Sequence, residues 1–277
     1  MSGEIVNSIY DLTMEELENY FLEHQDKKFH AVQLFEWLYQ KRIKTIEEAT
    51  NLKKDFSFQN ITITSVEEGE GVKKYLFTLN DQEHIEAVLM YHDYGLSLCI
   101  SSQVGCNMGC AFCESGRRKK VRNLTTGEMV EQILQIEESC GERIRHVVVM
   151  GIGEPFDNYD NVCKMIQIIN HPKGLNIGAR HITVSTCGIV PKIREFSDFP
   201  YQVNLAVSLH APNDTLRKAL MPIAKVYPLK ELMEALEEYE KKTSRRLTFE
   251  YILLKDVNDK EEQARELVSL LKGKNAY

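Results

Sequence analysis

The first sixty residues carry apolar side chains at helical spacing, together with polar residues that begin helices. Apolar positions recur every three or four residues from 30 to 41, which predicts a helix over that range. Thr13 followed by Glu16 forms a capping box, the sequence signal of a helix start. Thr45 followed by Glu48 repeats this signal and predicts a further short helix. We therefore expect a compact helical domain at the start of the chain.

Beyond residue 61 the apolar positions follow the pattern of strands. The runs 75–79 and 85–91 flank Asn80 and Asp81, a combination that predicts a β-hairpin. Strand-like and helix-like segments then alternate five times. The expected strands are 97–102, 146–151, 182–187, 204–210 and 248–254, and the expected helices are 126–139, 161–169, a short one after Pro191, 229–242 and 260–272. Repeated strand–helix units imply a parallel sheet in an α/β fold, and we expect a partial barrel of the TIM type.

Composition places the chain among globular proteins with one large domain and a small appendage. It has 277 residues, of which 43% are hydrophobic, enough for a buried core. Neither a membrane-length apolar run nor a secretory signal is visible, so we expect no membrane association. The seven cysteines are an odd number, and the closely spaced ones suit a metal site better than a disulfide scaffold. We expect a reducing compartment, most simply the cytoplasm.

The net charge of −7 argues against a uniformly basic surface, but two local basic clusters stand out. One cluster is the run 117–122, which follows three closely spaced cysteines. The other is spread through the N-terminal residues Lys27, Lys28, His30, Lys41, Arg42, Lys44, Lys53 and Lys54. Either cluster is suited to contact the phosphate backbone of a nucleic acid without reading its sequence, and either would also fit an ordinary solvated surface.

Cys106, Cys110 and Cys113 form the strongest chemical signal in the chain. Their Cys-x3-Cys-x2-Cys spacing places three thiols within eight residues, beside glycines that let the backbone approach a bulky group. Closely spaced thiolates are the usual ligands of iron–sulfur clusters, and in a 4Fe–4S cluster three local ligands leave one iron open to a ligand that is not protein. The alternatives are a zinc site that lacks one ligand and reduced cysteines of the core.

The same motif, with Phe112 before its last cysteine, is similar to the signature of radical S-adenosylmethionine (SAM) enzymes. In those enzymes the open iron holds the amino and carboxylate groups of SAM. A longer ordered set of strings, from Ser8 to the last residue, resembles the RlmN/Cfr family of radical SAM RNA methyltransferases. The matching strings are 101–106, 122–125, 150–155, 184–191, 208–213 and 251–259. An ordered set of this kind is more specific than any single string in it.

The resemblance implies a six-stranded, three-quarter barrel of the radical SAM type over residues 96–277. It also implies that the helical domain, residues 1–60, contacts RNA. The strand pattern predicts that residues 61–95 form a hairpin linker between this domain and the barrel. Only five strand–helix units are found, and residues 273–277 stand where a sixth strand would begin. We therefore interpret the chain as truncated, without the SAM-contacting asparagine and the methyl-carrying cysteine of the family.

Several residues at the ends of the predicted strands are candidates for the SAM site. Parallel α/β folds gather functional residues at the carboxyl ends of their strands. By resemblance, the residues that contact SAM are Gly153, Glu154, Ser185, Ser208, Leu209 and His210, and the cluster ligands are Cys106, Cys110 and Cys113. On the residues alone, the Gly-Ile-Gly-Glu string would also fit a plain turn, and each serine a local cap.

Cys99 and Glu86 are the candidate catalytic residues. Cys99 lies on a predicted strand, seven residues before Cys106, where an ordinary core thiol is the alternative. The resemblance implies that Cys99 removes a proton from adenine and closes a disulfide bond with the methyl-carrying cysteine. It assigns Glu86, which would otherwise be a solvent-exposed strand residue, as a proton acceptor. Cys163 and Cys187 are expected to be ordinary buried thiols.

The function that this resemblance implies is radical methylation of the C2 carbon of adenine in 23S rRNA and in tRNA. That chemistry needs a 4Fe–4S cluster, SAM and an external electron donor such as flavodoxin or ferredoxin. We expect a cytoplasmic, monomeric enzyme of rRNA and tRNA processing. The alternatives are methylation at C8, which is the Cfr-type reaction, and a non-catalytic iron–sulfur or RNA-binding protein, because the methyl-carrying cysteine has no counterpart here. A zinc-binding RNA module is a third alternative.

Overall fold

The computed structural model describes residues 8–45 and 56–277. Glu48 of the second capping box, together with Lys53 and Lys54 of the N-terminal basic cluster, lies outside the described residues. The chain divides into two compact units. The first comprises residues up to 101, 124–147 and 160–178, and the second comprises 102–123, 148–159 and 179–277. Within the described residues, no helix is long and apolar enough to span a membrane.

The described part of the chain contains ten strands and eight α-helices. The strands are β1 (Ile61–Gly69), β2 (Val72–Leu79), β3 (His84–His92), β4 (Gly95–Ile100), β5 (Gln103–Val104), β6 (Arg122–Asn123), β7 (Ile144–Val149), β8 (Ile182–Thr186), β9 (Asn204–Ser208) and β10 (Leu247–Glu250). The helices are α1 (Met14–Glu23), α2 (Lys28–Glu36), α3 (Thr126–Cys140), α4 (Tyr159–Asn170), α5 (Val190–Phe196), α6 (Asp214–Leu220), α7 (Leu229–Thr243) and α8 (Glu261–Leu271).

The N-terminal part of the first unit is helical, as predicted. The Thr13 hydroxyl accepts a hydrogen bond from the N–H of Glu16 at 3.2 Å, and the Glu16 carboxylate accepts from the N–H of Thr13 at 3.0 Å. This confirms the first capping box, which begins α1. The predicted helix over 30–41 is confirmed as α2, although it begins two residues earlier and its last turn, Trp37–Lys41, widens into a π-helix.

The strands of the first unit form an antiparallel meander, β1 to β4, with β7 beside β4. β2 and β3 pair across the turn that contains Asn80 and Asp81, which confirms the predicted hairpin. Along β3, the buried residues Ile85, Ala87 and Leu89 alternate with more exposed ones, as in a strand with one face in the core. This alternation decides which side chains of β3 face away from the core.

The second unit contains three parallel strands in the order β8–β9–β10, separated along the chain by helices. Their central residues Val184, Leu205 and Val207 are buried, as is typical of parallel strands. Parallel pairing with intervening helices confirms the predicted α/β class. Ala276 forms a parallel bridge to Leu247 of β10, so the last residues pair where a sixth strand is expected.

All five strands of the predicted strand–helix units end one to four residues earlier than predicted, and one helix is not predicted at all. β9 ends at Ser208, and His210 just beyond it has a left-handed backbone with φ 55°. β10 ends at Glu250, because the Asn258 side chain binds the loop that follows and donates to Ile252 O at 2.8 Å. The unpredicted helix, α6, has seven residues, too few for a periodic apolar pattern to reveal it.

Candidate active site

β5 and β6 hold the two ends of the loop that carries the three closely spaced cysteines. The strands pair antiparallel, and just beyond them the N–H of Cys106 donates to Arg118 O at 3.0 Å. Gly105 has a left-handed φ of 73°, and a Cβ placed there would lie 2.3 Å from Lys119 O. Only glycine fits, because a side chain would force the two arms of the loop apart. The cysteine loop, residues 105–121, is therefore fixed by its own backbone.

The three thiols of the cysteine loop are close enough to interact electrostatically. Cys106 is buried, whereas Cys110 and Cys113 are half-buried. Burial raises the pKa of Cys110 to about 12, and the thiols of Cys113 and Cys106 add to the rise. Burial is also the main cause that raises the pKa of Cys106. Such thiols stay protonated unless a positive centre stabilises their thiolates, as the irons of a cluster do.

The donor set of the cysteine loop suits an iron–sulfur cluster. It consists of three soft sulfur ligands on one short segment, with no carboxylate or imidazole between them. Among the described residues, no three His, Cys, Asp or Glu side chains are arranged to hold a single metal ion. In a cubic cluster each cysteine binds a different iron, so the thiols need not converge on one point. The residues present therefore fit a cluster with one open iron.

Gln103 joins the start of the cysteine loop to the segment that follows β7. Its side-chain oxygen accepts from the N–H of Glu154 at 2.9 Å. Its amide nitrogen donates to Asn123 at 2.8 Å and to Asp157 at 2.9 Å. Gly153, with φ 113°, approaches so closely that a Cβ there would lie 2.6 Å from the Cβ of Gln103. Sequence reasoning does not single out Gln103, although it lies within one of the strings that carry the resemblance.

The Glu154 carboxylate connects two strand ends from a buried position, with 3% of the residue exposed. One oxygen accepts from the N–H of Phe156 at 3.0 Å, and the other accepts from the N–H of Cys187 at 2.8 Å. Burial raises the pKa of this carboxyl, and the backbone donors oppose the rise. The side chains of Thr186 and Cys187 also hydrogen-bond this carboxylate and oppose the rise, so groups at both strand ends hold its orientation.

Ser185 and Ser208 share one carboxylate. Ser185 Oγ donates to Oε2 of Glu250 at 2.8 Å, and Ser208 Oγ donates to the same oxygen at 2.9 Å. The N–H of Leu209 donates to the backbone carbonyl of Glu250 at 3.0 Å, while the Leu209 side chain is fully buried. No sequence signal marks Glu250, since a glutamate at a strand end is ordinary. The structure nevertheless makes it the link between the two candidate serines.

His210 is held in one tautomer by the backbone. Its Nδ1 accepts from the N–H of Ile252 at 3.1 Å, which assigns the ring proton to Nε2. Burial lowers the pKa of His210 to about 4, so the imidazole is neutral near pH 7. Asn258 donates to the carbonyl of His210 at 2.8 Å, and the ring of Phe112 meets the imidazole edge-on with centroids 4.7 Å apart. The arrangement presents Nε2–H as a donor beside the cysteine loop.

Cys99 and Glu86 belong to the first unit, where they share one face of the β3–β4 pair. Cys99 on β4 pairs with Val88 on β3, and Val88 is two residues after Glu86 on that strand. Side chains two residues apart on a strand share a face, so the side chains of Cys99 and Glu86 are on the same face of the sheet. Glu86 forms an ion pair with Lys74 at 3.4 Å, and 44% of its side chain is exposed. The structure therefore brings the two catalytic candidates onto one face, and it places the candidate cluster and SAM residues in the second unit.

All seven cysteines are in the described part of the chain, and none forms a disulfide bond. The predicted disulfide of Cys99 requires a cysteine with no counterpart in this sequence. Burial raises the pKa of Cys187 well above its usual range, in agreement with a buried thiol. Cys163 is only half-buried, so the prediction for it is wrong, because its helix exposes that side in part.

Some cations of the two basic clusters are paired with carboxylates. In the N-terminal cluster, Arg42 pairs with the largely buried Glu137. In the run after the cysteines, Lys120 Nζ lies 2.6 Å from Asp157. Arg117 is highly exposed and pairs with Glu114 at 3.2 Å. Pairing weakens the positive field available to a phosphate backbone, and it does so least where the pair is exposed to solvent, as at Arg117.

Two families match the sequence. Residues 100–268 match the Radical SAM superfamily, which is more than half of the chain. Residues 7–59 match the ribosomal RNA large subunit methyltransferase N-terminal domain.

Curated relatives and one solved structure match over nearly the whole chain. A probable dual-specificity RNA methyltransferase RlmN of Enterococcus faecalis is 53% identical, over 96% of this chain and 79% of the relative. A protein of the same name from Listeria welshimeri is 52% identical, over 96% and 76%. The crystal structure of a radical SAM methyltransferase from Sphaerobacter thermophilus superposes with a TM-score of 0.92 at 39% identity, covering 98% of this chain and 83% of that one. This likeness confirms the predicted α/β fold of the radical SAM type.

Proposed function

The chain belongs to the RlmN family of radical SAM RNA methyltransferases, and we propose that it methylates C2 of adenine in 23S rRNA and in tRNA. Membership makes it an enzyme that uses a 4Fe–4S cluster and SAM. The match of residues 7–59 and the dual specificity in the relatives' names support the RNA substrates. The observation that carries the proposal is the cysteine loop, whose donor set fits the cluster that this chemistry requires.

A radical route is needed because C2 of adenine is not nucleophilic, so direct transfer from the SAM sulfonium fails. A 4Fe–4S cluster would supply the one-electron reduction of SAM that this route needs. We assign Cys106, Cys110 and Cys113 as the residues that would hold the cluster, because three protein ligands leave it open to SAM.

The strand ends of the second unit are proposed to bind SAM. Glu154 accepts from an N–H of the SAM amino group with a carboxylate oxygen. Ser185 and Ser208 meet the polar edges of the cofactor with hydroxyls that Glu250 orients. His210 donates from Nε2, because its other ring nitrogen is already bound. The full proposed set is Gly153, Glu154, Ser185, Ser208, Leu209 and His210.

Cys99 and Glu86 are proposed to handle protons of the substrate. Their common face on the β3–β4 pair supports a joint role. In this proposal Cys99 removes the proton from C2 of the methylated adenine. Glu86 accepts a proton, and its partial exposure lets it exchange that proton with solvent.

An external one-electron donor, such as flavodoxin or ferredoxin, completes the proposed system. The thiols of the site need a reducing compartment, so we place the enzyme in the cytoplasm with its RNA substrates. We propose that it acts as a monomer.

Anaerobic incubation of the reconstituted protein with SAM, a reductant and unmethylated 23S rRNA or tRNA tests the proposal. Mass spectrometry of the digested RNA is expected to show 2-methyladenosine, with 5′-deoxyadenosine in solution. 8-Methyladenosine would contradict the C2 assignment and favour the Cfr-type reaction. 5′-Deoxyadenosine without methylated RNA would restrict this chain to SAM cleavage. Neither product, from a protein without a cluster chromophore, would overturn the proposal.

A matched pair of cysteine variants controls this experiment. Cys110→Ser removes a proposed ligand and is expected to abolish the chromophore and both products. Cys140→Ser changes a half-buried cysteine at the end of α3 and is expected to keep them. Equal behaviour of the two variants would contradict the ligand assignment.

A further inference from the structure

Arg217 is the largest fully buried side chain among the described residues, with none of its surface exposed. It lies in α6, the helix that the sequence pattern does not predict. A buried guanidinium is costly unless its N–H groups find partners and its charge is compensated. None of the roles proposed above employs it.

The guanidinium binds three backbone carbonyls at the ends of two strands. Nε donates to Leu209 O at 3.2 Å, and Nη2 donates to Cys187 O at 2.7 Å and to Ser208 O at 3.2 Å. These carbonyls belong to the segments of β8 and β9 that carry the candidate SAM residues. Carbonyls orient the guanidinium but leave its net charge in place. Nη1 has no hydrogen-bond partner among the described residues.

The helix that carries Arg217 also contacts the cysteine loop. At the last residue of α6, Leu220 O accepts from the N–H of Ala111 at 2.8 Å. Cys110 packs against the apolar cluster that contains Cys187 and Leu220. Arg217 Nη2 binds the backbone carbonyl of Cys187 in that same apolar cluster, so the guanidinium lies next to the group of side chains that Cys110 contacts. A positive charge with little solvent to screen it therefore lies near a proposed cluster ligand.

We propose that Arg217 is a positioning residue with two effects on the cofactor site. Its planar guanidinium fixes the ends of β8 and β9 for SAM, and its positive charge favours the reduced state of the cluster. Reduction adds an electron, so a nearby cation stabilises the reduced form and raises the reduction potential. The inference rests on the proposed function, because it takes Cys106, Cys110 and Cys113 as the cluster ligands.

Two variants of the full chain separate the charge from the planar geometry. Arg217→Gln removes the charge, and Arg217→Lys keeps it on a flexible stem. EPR-monitored redox titration measures the midpoint potential, and equilibrium dialysis measures SAM affinity. At a fixed applied potential, Arg217→Gln is expected to lower the ratio of reduced to oxidised cluster about tenfold. For a one-electron couple, this corresponds to a fall of about 59 mV in the midpoint potential. Arg217→Lys is expected to keep that ratio within about threefold of wild type.

Both variants are expected to bind SAM about tenfold more weakly, because neither keeps the three carbonyl contacts. An unchanged potential in Arg217→Gln with an intact cluster would overturn the charge effect. Unchanged SAM affinity in Arg217→Lys would overturn the positioning effect. If Arg217→Gln does not fold, Arg217→Lys alone still tests the inference. A lowered midpoint potential in Arg217→Lys would contradict the charge effect, and unchanged SAM affinity would contradict the positioning effect.

Arg245→Gln is the matched control. Arg245 also donates to a backbone carbonyl, Val203 O at 3.4 Å, but it precedes β10 and lies away from the strand ends that bind Arg217. Both readouts are expected to stay at wild-type values. If Arg245→Gln changed the midpoint potential or the SAM affinity as much as the Arg217 variants do, the effect would not be specific to Arg217 and the inference would be overturned. Absence of a cluster in the wild-type protein would contradict the proposed function instead.

Discussion

The cysteine loop and the strand ends of the second unit are organised in opposite ways. In the loop the backbone makes the fixing contacts, such as the bond from Cys106 N–H to Arg118 O. At the strand ends the side chains bind one another, as Ser185 and Ser208 do through Glu250. Metal ligands must remain available for bonding, whereas a polar cofactor needs donors and acceptors held in fixed directions. The difference indicates that the two parts of the site fail in different ways when they are disturbed.

The largest effect is expected where the backbone of the cysteine loop is tightest. Gly105→Ala would place a Cβ 2.3 Å from Lys119 O at a φ of 73°. We expect loss of iron binding and a fall of more than about 3 kcal/mol in the free energy of unfolding, because steric overlap adds to backbone strain. Iron content after anaerobic reconstitution and urea unfolding measure the two effects.

Gly71→Ala is the control for backbone strain alone. Gly71 has a similar φ of 68°, but a Cβ there meets nothing within 4 Å. We expect a loss of about 1 kcal/mol and full iron content. Similar losses in the two variants would show that the close approach inside the cysteine loop does not matter.

A smaller and more selective effect is expected at the strand ends. Glu250→Ala removes the acceptor shared by Ser185 and Ser208, so SAM binding should weaken about 10–100-fold while iron content stays unchanged. Equilibrium dialysis of the reconstituted protein measures the affinity. Glu261→Ala, at a glutamate whose side chain is 80% exposed, should bind SAM normally. Loss of iron from Glu250→Ala would contradict the conclusion that the strand ends affect SAM binding without affecting the cluster.

The pH dependence of stability tests the neutral state of His210. Its pKa is lowered by burial to about 4 in the folded protein, from an ordinary value of 6.5. Between those values the unfolded chain binds more protons, so the contribution to stability is full above pH 6.5 and is lost as the pH falls toward 4. We expect His210 to account for about 2–3 kcal/mol of the loss between pH 7 and pH 4.5, by urea unfolding.

His210→Gln removes the titrating group and should lose correspondingly less stability over the same interval. An equal pH dependence in the variant and the wild type would mean that the imidazole is not held neutral by its surroundings.

The smallest effect on stability is expected in the first unit, at Glu86. Its ion pair with Lys74 is partly exposed, so Glu86→Gln should change the free energy of unfolding by less than about 1 kcal/mol. The same variant should lose RNA methylation while it still cleaves SAM, because the proposed role of Glu86 follows cleavage. Glu67→Gln, at a glutamate paired with the same lysine, should keep both activities. Full methylation by Glu86→Gln would exclude the proton-acceptor role.

Features set by neighbours in sequence could be predicted. The Thr13–Glu16 capping box, the hairpin at Asn80 and Asp81, and the five strand–helix units depend on local spacing, and the structure confirms them. The cysteine motif also lies within a few residues. Each of these signals falls inside a short window, so the pattern of the chain alone can reveal it.

Features set by distant neighbours could not be predicted. Glu250 reaches Ser185 across 65 positions of the chain, and Gln103 reaches Glu154 across 51. In the sequence, Arg217 is indistinguishable from an ordinary surface arginine. Its contacts with the strand-end carbonyls exist only in the folded protein. No local pattern distinguishes such residues from ordinary surface positions, because their partners are brought together by the sheet.

The central claim is that the cysteine loop and the strand ends act on one SAM molecule. EPR spectroscopy of the reduced, reconstituted protein with and without SAM tests it most directly. We predict that SAM changes the spectrum of the cluster, and that Glu250→Ala needs about 10–100-fold more SAM for the same change. A cluster spectrum that is identical with and without saturating SAM would contradict the account.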